Sequence, residues 1–163
     1  MIITSTSNPQ IKAIRKLRER KERRLSGLFY IEGLRIVGEA VEQQAEIETL
    51  IAAPDLLVSD FGRSLVETCR RNKINLLEVS ADVFQHLAFK EGPQGLAAVL
   101  RQNFVPLETI RLAPNDLWVA LDSVADPGNL GTIMRTLDAV GGRGIILLDD
   151  STDPYDTNAM RAT

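Results

Sequence analysis

The sequence predicts an α/β protein: an N-terminal three-layer α/β sandwich followed by a second, smaller α/β unit. Three observations carry that prediction. Short apolar runs alternate with segments of helical period along most of the chain. The helical segments are about ten residues long, enough to form the crossover of a βαβ unit. The stretch NFVPLETIRLAPND at 103–116 has two prolines and no clean period, so it reads as a linker between the two units.

The elements follow in order. Asn8 is a good N-cap and Pro9 suits the first helical position, so a helix is expected to open the chain. Ile11, Ile14 and Leu17 give it a narrow apolar stripe. Lys12, Arg15, Lys16, Arg18, Arg20, Lys21, Arg23 and Arg24 cover the rest. LFYI then reads as a strand, LRIVGEAVEQQ as a helix, IETLIAA as a strand and SLVETCRRN as a helix. INLLEV, ADVFQHLA and LAAVLR continue as strand, helix and strand, and the first sheet is expected to be largely parallel. Beyond the linker, LWVAL and GIILL are apolar runs suited to buried parallel strands, with a helix from about Asn129 to Val140 between them. PYDTNAMRAT begins another helix. This second unit, of about 49 residues, is at the low edge for an independent domain, so the chain is expected to stop partway through one.

Composition narrows the function. At 44% hydrophobic and 25% charged the chain is an ordinary globular sequence. No apolar run approaches the roughly 18 residues of a membrane span, and MIITSTSNPQ lacks the regions of a signal peptide, so a cytoplasmic protein is expected. Cys69 and His86 are the sole residues of their types, which argues for a buried thiol and against a metal site. The net charge of −3 is unevenly spread. Residues 1–27 hold eight Lys or Arg against two Glu, a balance of +6, which leaves −9 for the remainder. A basic arm of this kind suits phosphate, although a solvated helix would show the same run.

DSVADPGNLGTIMRTLDAVGG, residues 122–142, holds the candidate site. Leu130, Ile133, Met134, Leu137 and Val140 share one helical face, and Thr132, Arg135 and Asp138 fall off it. With Asn129 as N-cap and Gly141–Gly142 as a stop, a well-made strand-to-helix connection accounts for most of the segment. What it leaves over is clustering. Asp122, Asp126, Asn129 and Arg135 gather at the carboxyl end of a parallel strand, where open α/β sheets place ligands. The turn has neither G-x-G-x-x-G nor G-K-[ST], so it is not a dinucleotide or P-loop cradle.

Asp122, Asp126, Pro127, Asn129, Gly131, Arg135 and Gly141, at this spacing, resemble the first motif of the SpoU-type (TrmH-like) RNA 2′-O-ribose methyltransferases of the trefoil-knot class. T-S-N-P-Q-I-K at 6–12, K-x-R at 21–23, G-x-F at 27–29, E-G at 32–33 and PQGLAAV at 93–99 are similar to the substrate-binding domain often fused to them. DPYDTNAMRAT at 153–163 resembles the family's D-x-Y stretch, with Asn158 where lysine is frequent and Thr163 where serine is usual. The resemblance implies an RNA substrate-binding domain over 1–102, a linker over 103–116 and the first part of a trefoil-knot methyltransferase domain over 117–163. It also implies S-adenosylmethionine as cofactor, with its pocket largely beyond Thr163, and a homodimer at full length.

By the same resemblance Asn129 and Arg135 are the catalytic candidates, and Lys12, Arg15, Lys16, Lys21, Arg23 and Arg24 the RNA-binding ones. A guanidinium essentially never releases its proton in proteins, so Arg135 suits a phosphate clamp or alkoxide stabiliser better than a base. Ribosomal RNA is the expected substrate ahead of transfer RNA. A noncatalytic RNA-binding module and a dimerisation domain without RNA remain as alternatives, separated by S-adenosylmethionine binding and by salt-dependent RNA binding.

Overall fold

A computed structural model describes residues 2–89 and 91–163, and the chain divides into two compact units, Met1–Arg101 and Gln102–Thr163. No helix among the described residues is long and apolar enough to cross a membrane.

The first unit opens with α1 (Pro9–Lys16), where the Asn8 side chain accepts from the Gln10 N–H. The basic arm is two helices rather than one. α1 ends at Leu17, and α2 (Arg20–Ser26) follows after a short turn and stops at Gly27, whose φ of +67° is in the left-handed region that favours glycine. Then come β1 (Leu28–Glu32), α3 (Leu34–Glu42), β2 (Ile47–Ala52), α4 (Asp60–Arg71), β3 (Leu76–Glu78), α5 (Ala81–Leu87) and β4 (Leu96–Arg101).

The sheet order is β1-β4-β2-β3. Among the described strands of this sheet β2 and β3 pair in parallel, whereas β4 runs antiparallel to both β1 and β2, so the expected largely parallel sheet is mixed. The physical reason is that β4 inserts at the centre, where all residues from Leu96 to Leu100 are buried. A continuous apolar run reports burial on two faces and is silent on direction.

Helices cover both faces. Ile11 and Leu17 of the α1 region pack with Val83, Phe84 and Leu87 of α5 against Tyr30, Ile51, Ala97 and Val99. The alternate sheet residues, including Phe29, Ile31, Leu50 and Ala98, are also buried, and α3 and α4 supply the other layer. The three-layer arrangement follows.

In the second unit β5 (Trp118–Asp122) and β6 (Gly144–Leu148) pair in parallel, with Asp122 opposite Leu148 at their carboxyl ends. α6 (Pro127–Ala139) joins them and α7 (Thr157–Ala162) packs on α6. The N-cap of α6 is Asp126, not Asn129: its carboxylate accepts from the Asn129 N–H at 2.7 Å, and Pro127 opens the helix. Helix α6 therefore starts two residues before the expected Asn129. Leu130 and Leu137 are buried as the helical period requires, but Val140 is 62% exposed because it lies at the C-cap, past the packed turns.

Gly131 sets the approach of the two helices. A Cβ built there would lie 2.2 Å from the carbonyl oxygen of Ala159 and 2.7 Å from the Ala162 side chain. No backbone neighbour can yield that much without moving α7. Gly131→Ala is therefore expected to destabilise the unit by about 1–3 kcal/mol, measured by urea unfolding. Asp138→Ala, on the exposed side of the same helix, should stay within about 0.5 kcal/mol of the parent.

Candidate functional site

The carboxyl edge of the β5–β6 pair carries two loops. The residue that follows each strand, Ser123 after β5 and Asp149 after β6, has a positive φ, of 52° and 47°. Side chains rarely tolerate that conformation, and it concentrates at functional sites when surrounding contacts hold it in place. The Ser123 hydroxyl donates to Asp122 Oδ1 at 2.8 Å, so a hydroxyl and a carboxylate face solvent together.

The loops are tied to each other. Thr152 N–H donates to the Val124 carbonyl at 2.7 Å, and the hydroxyl of buried Ser151 accepts from the Val124 N–H and faces the Leu121 and Leu148 carbonyls near the ends of both strands. Further along, Asp153 accepts from the Tyr155 N–H, and Asp156 caps α7 by accepting from the Asn158 N–H. The Tyr155 hydroxyl accepts from Asn103 N–H at 2.8 Å and donates to Asn103 O at 2.9 Å, with the Phe104 ring edge-on at 5.2 Å. Burial pushes the Tyr155 phenol up, the Asn103 bond opposes this and Asp153 adds to it. The phenol is therefore held as a neutral hydroxyl that anchors the stretch after β4.

α6 presents Asn129, Thr132 and Arg135 to solvent, while Leu130, Gly131 and Leu137 are buried. Asn129 and Arg135 are six residues apart, which is about 9 Å along the axis and about 120° around it, with Thr132 midway. They form a slanting strip on the open side of α6, which starts at the carboxyl edge with Asn129 and runs away from it toward Arg135. Arg135 makes no hydrogen bond or ion pair among the described residues, so its guanidinium is available.

In the first unit Lys12, Arg15, Lys16, Lys21 and Arg24 are exposed, and Arg20, not among the expected RNA-binding residues, joins them. Arg23 does not. It is 2% exposed, and its Nη1 donates to the carbonyls of Leu17 at 2.9 Å and Arg18 at 2.8 Å. It caps the open end of α1 and cannot face phosphate. Arg18 is also committed inward: its Nη2 donates to the Leu87 and Ala88 carbonyls at 2.9 Å, and its guanidinium lies 4.3 Å from the centre of the Phe89 ring. Arg15 bonds His86, joining α1 to α5. Burial raises the Tyr30 phenol and the Cys69 thiol, so neither is an ionised nucleophile near neutral pH.

Sequence comparison matches these units separately. Residues 8–98 match the MRM3-like substrate binding domain, over half of the chain, and residues 116–163 match the SpoU rRNA Methylase family. The chain belongs to the SpoU-type RNA methyltransferases with an MRM3-like substrate-binding domain. Among similar curated proteins, the 23S rRNA (guanosine(2553)-2′-O)-methyltransferase RlmP of Bacillus subtilis is 32% identical over 98% of this SpoU-type chain and 59% of its own length. The 23S rRNA (uridine(2479)-2′-O)-methyltransferase of Streptomyces viridochromogenes is 30% identical over 90% of this chain and 50% of its own. The SpoU-type chain thus spans between half and three-fifths of these relatives.

Solved structures agree on the fold. The AdoMet-bound rRNA methyltransferase from Sinorhizobium meliloti matches with a TM-score of 0.86 and 35% identity, over 99% of this chain and 59% of that one. The SpoU methyltransferase AviRb from Streptomyces viridochromogenes, in complex with AdoMet, matches with a TM-score of 0.81 and 27% identity, over 95% and 57%.

Sequence reasoning missed Ser151 and the capping role of Asp126. The Asp-Pro pair was a usable signal for the cap, since aspartate before an N1 proline is a common helix start. Arg23→Ala is expected to lower the stability of the first unit by about 1.5–3 kcal/mol, through the loss of charged hydrogen bonds at a buried carbonyl pair. Arg24→Ala should change it by less than about 0.5 kcal/mol, both read from urea midpoints.

Proposed function

We propose that this chain provides the RNA-gripping unit and part of the catalytic wall of an S-adenosylmethionine-dependent methyltransferase acting on the 2′-hydroxyl of ribosomal RNA, as a cytoplasmic homodimer. The single observation that carries the reading is the placement of Arg135: exposed, without a partner among the described residues, on the open side of the helix that follows the carboxyl end of β5, within the segment matched to the SpoU family.

Such a reaction would exchange the sulfonium S–CH3 bond for O–CH3, with the 2′-hydroxyl proton passing to solvent water, since a guanidinium does not accept it. The bound cofactor supplies the electrophilic carbon. The edge suits a cationic donor in charge, since Asp122, Asp149 and Asp150 are exposed there and would form one wall of its site. Those carboxylates also repel RNA phosphates. Arg135 offsets that repulsion locally, and its forked donors can hold a phosphate while favouring the oxyanion that develops at the ribose. Asn129 offers an amide at the first turn of α6, where it can orient the ribose by hydrogen bonding. The reaction gains most from alignment, so a rigid α6 matters as much as either side chain.

The first unit supplies affinity independent of RNA sequence. Lys12, Arg15, Lys16, Arg20, Lys21 and Arg24 face solvent on the α1–α2 arm. With about six phosphate contacts, binding should weaken by about 10³-fold between 50 and 200 mM salt. Arg23→Ala, corrected for folded fraction, should leave that slope unchanged.

The enzymatic claim is tested in the full-length protein with ribosomal RNA and labelled S-adenosylmethionine. Arg135→Lys should lower turnover at least tenfold while RNA affinity stays within a few fold. Unchanged turnover would remove Arg135 from the mechanism. Salt-dependent RNA binding without any ribose methylation by the wild-type protein would reduce the chain to a binding module.

A further inference from the structure

β5 and β6 end alike, each passing into a left-handed residue that is not glycine, Ser123 or Asp149. Something must hold these two turns. Ser151, 3% exposed, lies between them. Its Oγ accepts from the Val124 N–H at 3.3 Å, in the first loop, and donates to the Leu148 carbonyl at 2.6 Å, at the end of β6. The adjacent Thr152 N–H reaches back to the Val124 carbonyl at 2.7 Å. One buried hydroxyl therefore links both turns. The first turn runs straight into Asp126, whose carboxylate holds the Asn129 N–H at the start of α6.

We propose that Ser151 is a positioning residue for methyl transfer, locking the loop after β5 onto the loop after β6 and so fixing where Asp126 places Asn129. The inference rests on the function proposed above. Its bonds tie the loop after β5 to the last residues of the strands, at the Leu148 carbonyl and, at 3.4 Å, the Leu121 carbonyl, whereas the pairing along the strands and the α6–α7 contact at Gly131 are made by other atoms. Losing the hydroxyl should therefore loosen the site more than the fold. Alanine leaves the Val124 N–H without this acceptor and the left-handed turn with one hold fewer.

Two measurements test this. In the 163-residue chain, Ser151→Ala should speed amide exchange at least tenfold at Val124, Thr152 and Asn129, with Ile145 to Leu147 of β6 within twofold. No change at those amides, or an even increase across β5, α6 and β6, would overturn the loop-locking role. In the full-length protein the same variant should lower kcat at least fivefold, after correction for folded fraction, with KM for RNA within twofold. Ser151→Thr, which restores a hydroxyl, should recover most of kcat. Adding Ser151→Ala to Asn129→Ala should cost little more than Asn129→Ala alone, because both act at one point. A kcat equal to the parent's, or a loss fully additive with Asn129→Ala, contradicts the proposal. If the wild-type protein transfers no methyl group, the functional reading fails, and the exchange pattern still decides whether Ser151 sets the loop.

Discussion

The second unit depends on how closely α6 can lie against α7. At Gly131 the distance leaves no room for even a methyl group, because the Ala159 carbonyl occupies the space a Cβ would fill. That contact, with Leu130 and Leu137 buried on either side, fixes the rotation of α6 about its axis. Once the rotation is fixed, the helical period leaves no choice about what faces outward: Asn129, Thr132 and Arg135 form the open strip. The exposure of the guanidinium is thus a consequence of which residues are buried. A turn of about 100°, one residue's worth, would bury the polar strip and expose leucine.

The cations of the chain divide by their partners. Arg18 and Arg23 spend their donors on backbone carbonyls at helix ends, where a buried guanidinium is tolerated because several acceptors converge on it. They build the α1–α2 turn and fasten it to the end of α5. Lys12, Lys16, Lys21 and Arg24 stay exposed on the arm, where they can meet a polyanion. The carboxyl edge of the second unit has the opposite sign, with Asp122, Asp149 and Asp150 exposed. A phosphate brought to that edge would need a cation to offset those carboxylates, which is the part proposed for Arg135.

Much of this was legible in the sequence, and the failures share a cause. Strand β6 falls on GIILL as expected, and the cap at Asn8 and the stop at Gly141 follow from local chemistry alone. The direction of β4 was not legible, because LAAVLR would be equally apolar in a parallel or antiparallel slot. Arg23 looks like its neighbours in a basic run, and only the turn at Leu17 and Arg18 draws it inside. Ser151 was invisible for the same reason: its partner Val124 is 27 residues away, on another loop. Local rules read the period and the caps; they do not read bonds made between distant loops.

The central claim is that the packing of α6 holds the Arg135 guanidinium open for RNA. The most direct measurement is the NMR signal of the Arg135 Nε–H in the full-length protein, followed as a ribosomal RNA oligonucleotide is added. The account predicts a guanidinium that is solvent-exchanged in the free protein and becomes shifted and protected in the complex, together with the exposed arginines of the α1–α2 arm. An Arg135 signal that stays unchanged while the arm arginines shift would contradict it, leaving a protein that grips RNA without presenting it to this edge.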